Sequence, residues 1–113
     1  MPQILVSEVG PRDGLQSIAA VMSTPAKLRW ITALAAAGLR EIEVCSFVPP
    51  KLLPQMADAA DVVAGARQLP GLGVAALAPN LHGARAAFKA GAAKVTLPVS
   101  VSEAHSLACL LYT

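Results

Sequence analysis

Two stretches of the chain repeat one another in form. Ala36-Ala37-Gly38-Leu39-Arg40-Glu41-Ile42 and Lys89-Ala90-Gly91-Ala92-Ala93-Lys94-Val95 each read as a helix end, a glycine stop, a short loop and a new strand. The two glycines lie 53 positions apart, about the length of two strand–helix units. No other feature limits the fold as strongly, because strands that alternate with helices build a parallel sheet with crossover helices. The rest of the chain fits that alternation. A first strand is expected over residues 4–9, with Ile4, Val6 and Glu8 on one face and Leu5, Ser7 and Val9 on the other. After a loop through Ser17 to Ser23, Thr24 suits an N-cap and Pro25 the first helical position. Leu28, Ile31, Leu34 and Ala35 then form an apolar stripe that stops at Gly38.

A second strand is expected over residues 41–47, where Glu41, Glu43 and Cys45 alternate with Ile42, Val44 and Ser46. Pro49-Pro50-Lys51 and Pro54 mark a loop. A helix over residues 55–68 follows, with Met56, Ala59, Val62, Val63, Ala66 and Leu69 as its apolar face and Pro70-Gly71 as its end. A small apolar strand over Gly73–Leu77, a helix over Leu81–Ala90 capped by Asn80, and a strand over residues 94–99 complete the series. The class is α/β, with about four parallel strands and three helices, and half a barrel is the natural description.

A chain of 113 residues makes one domain at most. It is 55% hydrophobic and only 14% charged, which excludes a disordered chain and suggests too little polar surface to stand alone. Net charge is +2, and no Lys/Arg run marks a nucleic-acid partner. No run reaches about eighteen apolar residues, so no membrane span is expected. The sequence enters a strand almost at once, with no leader in front, which favours a cytoplasmic protein. Cys45 and Cys109 make neither a disulfide framework nor a Cys-x-x-Cys site, and Cys45 reads as a packed core thiol.

The chemistry is concentrated in Glu8-Val9-Gly10-Pro11-Arg12-Asp13-Gly14-Leu15-Gln16. Gly10-Pro11 and Asp13-Gly14 are turn dipeptides that stop the strand and bring the following side chains over its C-terminal end. In parallel α/β folds, ligands sit at that end. One reading is a surface loop with Arg12 and Asp13 as a solvated pair. The other is an anion clamp beside a metal-binding or basic carboxylate. The guanidinium fork suits carboxylate and thioester oxyanions, an aspartate suits a hard divalent cation, and Gln16 adds a neutral donor and acceptor. Glu43 likewise allows two readings, an edge strand with an exposed face or a barrel strand with Glu43 in a polar site near Arg12. Acids inside a strand are costly to bury unpaired, and the second reading is the better of the two because it sets Glu43 near Arg12.

The Glu8–Gln16 stretch resembles the N-terminal signature of the hydroxymethylglutaryl-CoA lyase family, metal-dependent TIM-barrel enzymes. The wording Gly-Pro-Arg-Asp-Gly-Leu-Gln points to the lyase branch rather than to acyl-transferring synthases, which carry a Thr-Leu-Arg-Asp-Gly type of sequence. The resemblance continues through Ile42-Glu43-Val44-Cys45-Ser46-Phe47-Val48-Pro49-Pro50-Lys51, Pro54-Gln55-Met56, Leu77-Ala78-Pro79-Asn80-Leu81 and Ser100-Val101-Ser102-Glu103. It implies the N-terminal half of a (β/α)8 TIM barrel over residues 1–107, followed by an unfamiliar tail over residues 108–113. A full barrel needs about 250 residues.

The implied reaction cleaves 3-hydroxy-3-methylglutaryl-CoA to acetyl-CoA and acetoacetate with Mg2+ or Mn2+, chemistry of the leucine-degradation and ketone-body type. The resemblance makes Asp13 a metal ligand that assists proton transfer and Arg12 the stabiliser of the enolate. Glu43 becomes an acid that positions the substrate. Gln16, Ser46 and Glu8 are substrate-side contacts, Glu8 at the site edge. The partner is an acyl-CoA substrate, with no nucleic acid or membrane, and the complete enzyme is expected to be a homo-oligomer. The family's other metal ligands, two histidines and an asparagine, and its loop cysteine come from later strands. His82 and His105 read as surface histidines. The 113-residue chain alone is therefore expected to be inactive. The alternatives are a related acyl-CoA lyase or synthase, including a lyase for longer acyl chains, and a non-catalytic half-barrel that self-associates.

Overall fold

The computed structural model describes residues 3–102 and residue 104; His105, Cys109 and the tail lie outside them. Four strands form one parallel sheet in the order β1-β2-β3-β4: β1 (Ser7–Glu8), β2 (Glu41–Ser46), β3 (Gly73–Leu77) and β4 (Lys94–Thr96). The connections carry α1 (Thr24–Ala36), α2 (Ala59–Ala66) and α3 (Leu81–Ala90). Sequential parallel neighbours joined by helices make one side of a (β/α)8 wall. The α/β half-barrel reading therefore holds, and β3 and α3 have the expected bounds. Gly38 and Gly91, the two echoing glycines, both end their helices with positive φ, 107° and 110°.

The core lies between the sheet and its helices. Ile31, Ile42, Val44, Cys45, Met56, Val62, Val63, Ala66, Val74, Ala76 and Ala87 are all buried there. The apolar faces expected for α1 and α2 point into it, with Leu28, Leu34 and Leu69 half-buried at its margin.

Five local expectations change. The first strand is only Ser7–Glu8, not residues 4–9, and Ile4 and Val6 are exposed. Register explains this: Ser7 pairs with Glu41, the first residue of β2, so residues before Ser7 have no strand beside them. The α1 cap is Ser23, whose hydroxyl accepts from the Ala26 amide, and Thr24 is freed for a different bond. The helix expected over residues 55–68 splits into a 3₁₀ turn, Pro54–Met56, and α2. Strand β4 stops at Thr96; β3 ends opposite it at Leu77, and Pro98 has no amide proton to extend the ladder. Finally, β2 carries a register shift between Glu43 and Cys45. With Val44 as the extra residue, strict alternation breaks. Cys45 turns to the helices, its thiol 3.7 Å from the Ala59 carbonyl oxygen, and Ser46 joins the face that carries Glu43.

Candidate active site

The segment after β1 winds into a single π-helical turn, Gly10–Gly14. Pro11, which has no amide proton, sits buried at its start, and the Asp13 amide closes back onto the Val9 carbonyl at 2.7 Å. Gly10 permits a close approach of Glu8 and Trp30. A Cβ there would lie 2.8 Å from a Glu8 carboxylate oxygen and 3.2 Å from the Trp30 ring. Glu8 folds back onto this turn, accepting from the Gly10 amide at 3.2 Å. Glu8 thus serves the turn's shape, and the structure gives it no link to Arg12.

Arg12 is the hub. Its Nε donates to Glu43 Oε1 at 2.6 Å, and its Nη1 donates to Asp13 Oδ1 at 3.2 Å. The side chains of Arg12 and Glu43 are 17% and 8% exposed, whereas that of Asp13 is 63% exposed. The turn therefore presents Asp13 outward and locks Arg12 inward. Of the two readings of Glu43, the polar site is the observed one, since β2 is buried along its whole length. Ser46, fully buried, donates to Gln16 Oε1 at 2.7 Å. Arg12, Asp13, Glu43, Gln16 and Ser46 are thus brought to the C-terminal ends of β1 and β2.

Thr96 was not singled out from the sequence. Its hydroxyl lies 3.5 Å from Glu43 Oε2, reaching it from β4. The same face carries a second polar layer. Lys94 Nζ lies 3.3 Å from Glu41 Oε2. The Glu41 carboxyl is held below its ordinary range, by Ser7 first and by Lys94 as well, while burial opposes them. Contact between β2 and β4 passes over β3 because β3 places the small residues Gly73 and Ala75 beside Glu41 and Glu43. The small apolar character of β3 was the available signal. Burial, reinforced by nearby Asp58, pushes the Cys45 thiol pKa up, as befits a packed core residue. His82 is exposed.

A hard divalent cation prefers about six oxygen ligands. Asp13 fits as one such ligand, exposed and anchored at one oxygen. Among the described residues, no group of three or more His, Cys, Asp or Glu gathers to complete a metal site.

The family model described as HMGL-like matches residues 3–111. The chain belongs to the HMGL-like family. It is 50% identical over 104 residues to the 3-hydroxy-3-isohexenylglutaryl-CoA/hydroxy-methylglutaryl-CoA lyase of Pseudomonas aeruginosa, covering 92% of this chain and 35% of that protein. It is 48% identical over 101 residues to the mitochondrial hydroxymethylglutaryl-CoA lyase of Mus musculus, covering 89% and 31%. The crystal structure of hydroxymethylglutaryl-CoA lyase from Pseudomonas aeruginosa superposes with a TM-score of 0.84 at 49% identity, covering 94% of this chain and 35% of that one. An HMG-CoA lyase from Acinetobacter baumannii, solved in complex with coenzyme A and 3-methylmalate, gives 0.88 at 38% identity, covering 96% and 36%. This HMGL-like chain spans about a third of the length of the curated relatives it matches. No helix among the described residues is long and apolar enough to cross a membrane.

Proposed function

We propose that this chain is the Arg-Asp portion of a carbon–carbon lyase that cleaves 3-hydroxy-3-methylglutaryl-CoA to acetyl-CoA and acetoacetate. The observation that carries the reading is Arg12 locked to buried Glu43 beside an outward-facing Asp13, on one turn at the mouth of the sheet. Cleavage starts with removal of the proton from the tertiary hydroxyl. The carbon–carbon bond then breaks, a ketone forms at the former carbinol carbon, and the electron pair moves onto the thioester as an enolate. Protonation of that enolate gives acetyl-CoA.

Arg12 meets the enolate oxygen in this scheme. Its Nε–H and one Nη1–H are held by Glu43 and Asp13, and among the described residues Nη2 makes no hydrogen bond, so three of the five N–H donors remain for an oxyanion. Such a preorganised donor lowers the barrier by about 2.7–4 kcal/mol. Asp13 assists the departure of the hydroxyl proton and is one ligand of a divalent cation, Mg2+ or Mn2+. When bound, that cation supplies Lewis acidity to the substrate oxygens. Gln16, oriented by Ser46, and Glu43 complete the substrate side. Glu8 shapes the turn at the edge of the site. Residues 1–107 form the partial barrel domain in this proposal, in a cytoplasmic homo-oligomeric enzyme.

The test is a chimera in which residues 3–102 replace the matching segment of the Pseudomonas aeruginosa lyase. With substrate and Mg2+ it should release acetoacetate, and Asp13→Asn should lower turnover by about 10²–10⁴. Undiminished turnover in Asp13→Asn would sink the assignment. A second reading, preference for a longer acyl chain, is favoured by the isohexenylglutaryl-CoA in the name of the Pseudomonas aeruginosa relative. The ratio of kcat/KM on the two thioesters decides between them.

A further inference from the structure

Apart from the site and the Glu41–Lys94 pair, the main polar cluster lies where α1 begins. Lys27 is 2% exposed, and its Nζ donates both to the Gln55 carbonyl oxygen and to Asp58 Oδ1, each at 2.5 Å. Asp58 Oδ2 accepts from the Thr24 hydroxyl at 2.6 Å, the bond for which Thr24 left the capping position. Gln55 in turn donates from Nε2 to the Ile18 carbonyl oxygen at 2.5 Å. One residue earlier, Ser17 returns to Asp13. Its amide and its hydroxyl both donate to the Asp13 carbonyl oxygen, at 3.2 and 2.7 Å.

A continuous hydrogen-bonded path therefore runs from a buried lysine through Gln55 and the segment Ser17–Ile18 to the backbone of Asp13. We propose that Gln55, itself held by Lys27, is a positioning residue that fixes the turn carrying Arg12 and Asp13. The proposal rests on the reading above that this turn meets the substrate.

Three observations favour it over a merely structural cluster. Burying a lysine is costly, and an apolar side chain would fill that face of α1 equally well. Gln55 Oε1 is buried and has no hydrogen-bond partner among the described residues, so the amide is held at its donor end alone, by Ile18. Among the described residues, that bond is also the one tie of residues 18–22 to the rest of the molecule through hydrogen bonding.

The test uses the ¹⁵N-labelled 113-residue chain. In Gln55→Ala, the Ser17 amide should exchange with solvent about fivefold faster, the effect on an opening equilibrium of losing one ordinary hydrogen bond. The Arg12 Nε–H signal, which reports its bond to Glu43, should shift or broaden. Amides of β3 should keep their protection. Gln55→Leu, which keeps bulk without the donor, should behave like Gln55→Ala. Unchanged Ser17 and Arg12 signals would overturn the proposal. So would a uniform loss of protection across the chain, or wild-type behaviour in Gln55→Leu. These readouts need no substrate, so their failure leaves the proposed activity standing, and an inactive chimera would leave the positioning role standing.

Discussion

Glu41 and Glu43 stand two positions apart on one strand and face the same interior, yet their partners divide them. Glu43 holds Arg12, while Glu41 sits a layer below with Lys94 and Ser7. Glu41 has its folded-state pKa lowered, chiefly by Ser7 and then by Lys94, against the opposing effect of burial. Its contribution to stability is therefore fully present above the ordinary carboxylate range and is lost as pH falls through the lowered value. Glu41→Gln should remove this component. The difference in urea midpoint between the parent and Glu41→Gln should shrink as pH is taken from 7 into the acid range. A difference independent of pH would show that the ionised form of Glu41 gains nothing from its neighbours. The sequence made Glu43 legible because it resembled a known signature. The Glu41–Lys94 pair was not legible: it joins residues on β2 and β4, and only the smallness of Gly73 and Ala75 between them permits it.

Elements were legible where local chemistry and tertiary packing agree. Asn80 and Gly91 both act at the ends of one helix, and the bounds of α3 are those the sequence indicates. They were misread where a distant partner decides. Asp58 stands at the cap position of α2 but makes no capping bond, because its carboxylate is held by Thr24 and Lys27. The β2 register shift likewise depends on its neighbour β3 and leaves no mark on period-2 alternation. Gly83 sets local propensity against packing most sharply. In a helix interior, Gly→Ala gains about 1 kcal/mol from propensity. Here the new Cβ would lie 2.6 Å from the Phe47 carbonyl oxygen and 3.2 Å from the Ala78 Cβ. Backbone atoms cannot swing aside as a side chain does, and such overpacking costs about 1–3 kcal/mol. Gly83→Ala should thus lower the urea midpoint at unchanged helix content. A raised midpoint would mean that α3 shifts freely over the β2–α2 loop.

At the scale of the molecule, four strands leave two edges. Beside β1 stand Ile4, Leu5 and Val6, with Ile4 91% exposed; beyond β4 stand Leu97, Val99 and Val101, with Val99 89% exposed. The interior face of the sheet carries the Glu41 and Glu43 layers but has no opposing wall among the described residues. Composition anticipated this, since a chain 55% hydrophobic and 14% charged has more apolar surface than one core can cover. An unpaired parallel edge next to exposed branched residues is a template for another strand. Both edges run in the same direction, so the β4 edge of one copy can receive the β1 edge of another. In dilute solution the isolated 113-residue chain should therefore self-associate with rising concentration, as read by sedimentation velocity. Val6→Lys and Val99→Lys, one at each edge, should shift it towards monomer, because a lysine at an edge disfavours docking of a second strand. Far-UV circular dichroism should stay unchanged, since neither residue belongs to the core. Association that persists in the double variant would place the contact elsewhere, on the open interior face with its Arg12–Glu43 and Lys94–Glu41 pairs. Added salt would then distinguish the two surfaces, weakening contacts made through those charges and leaving edge pairing intact.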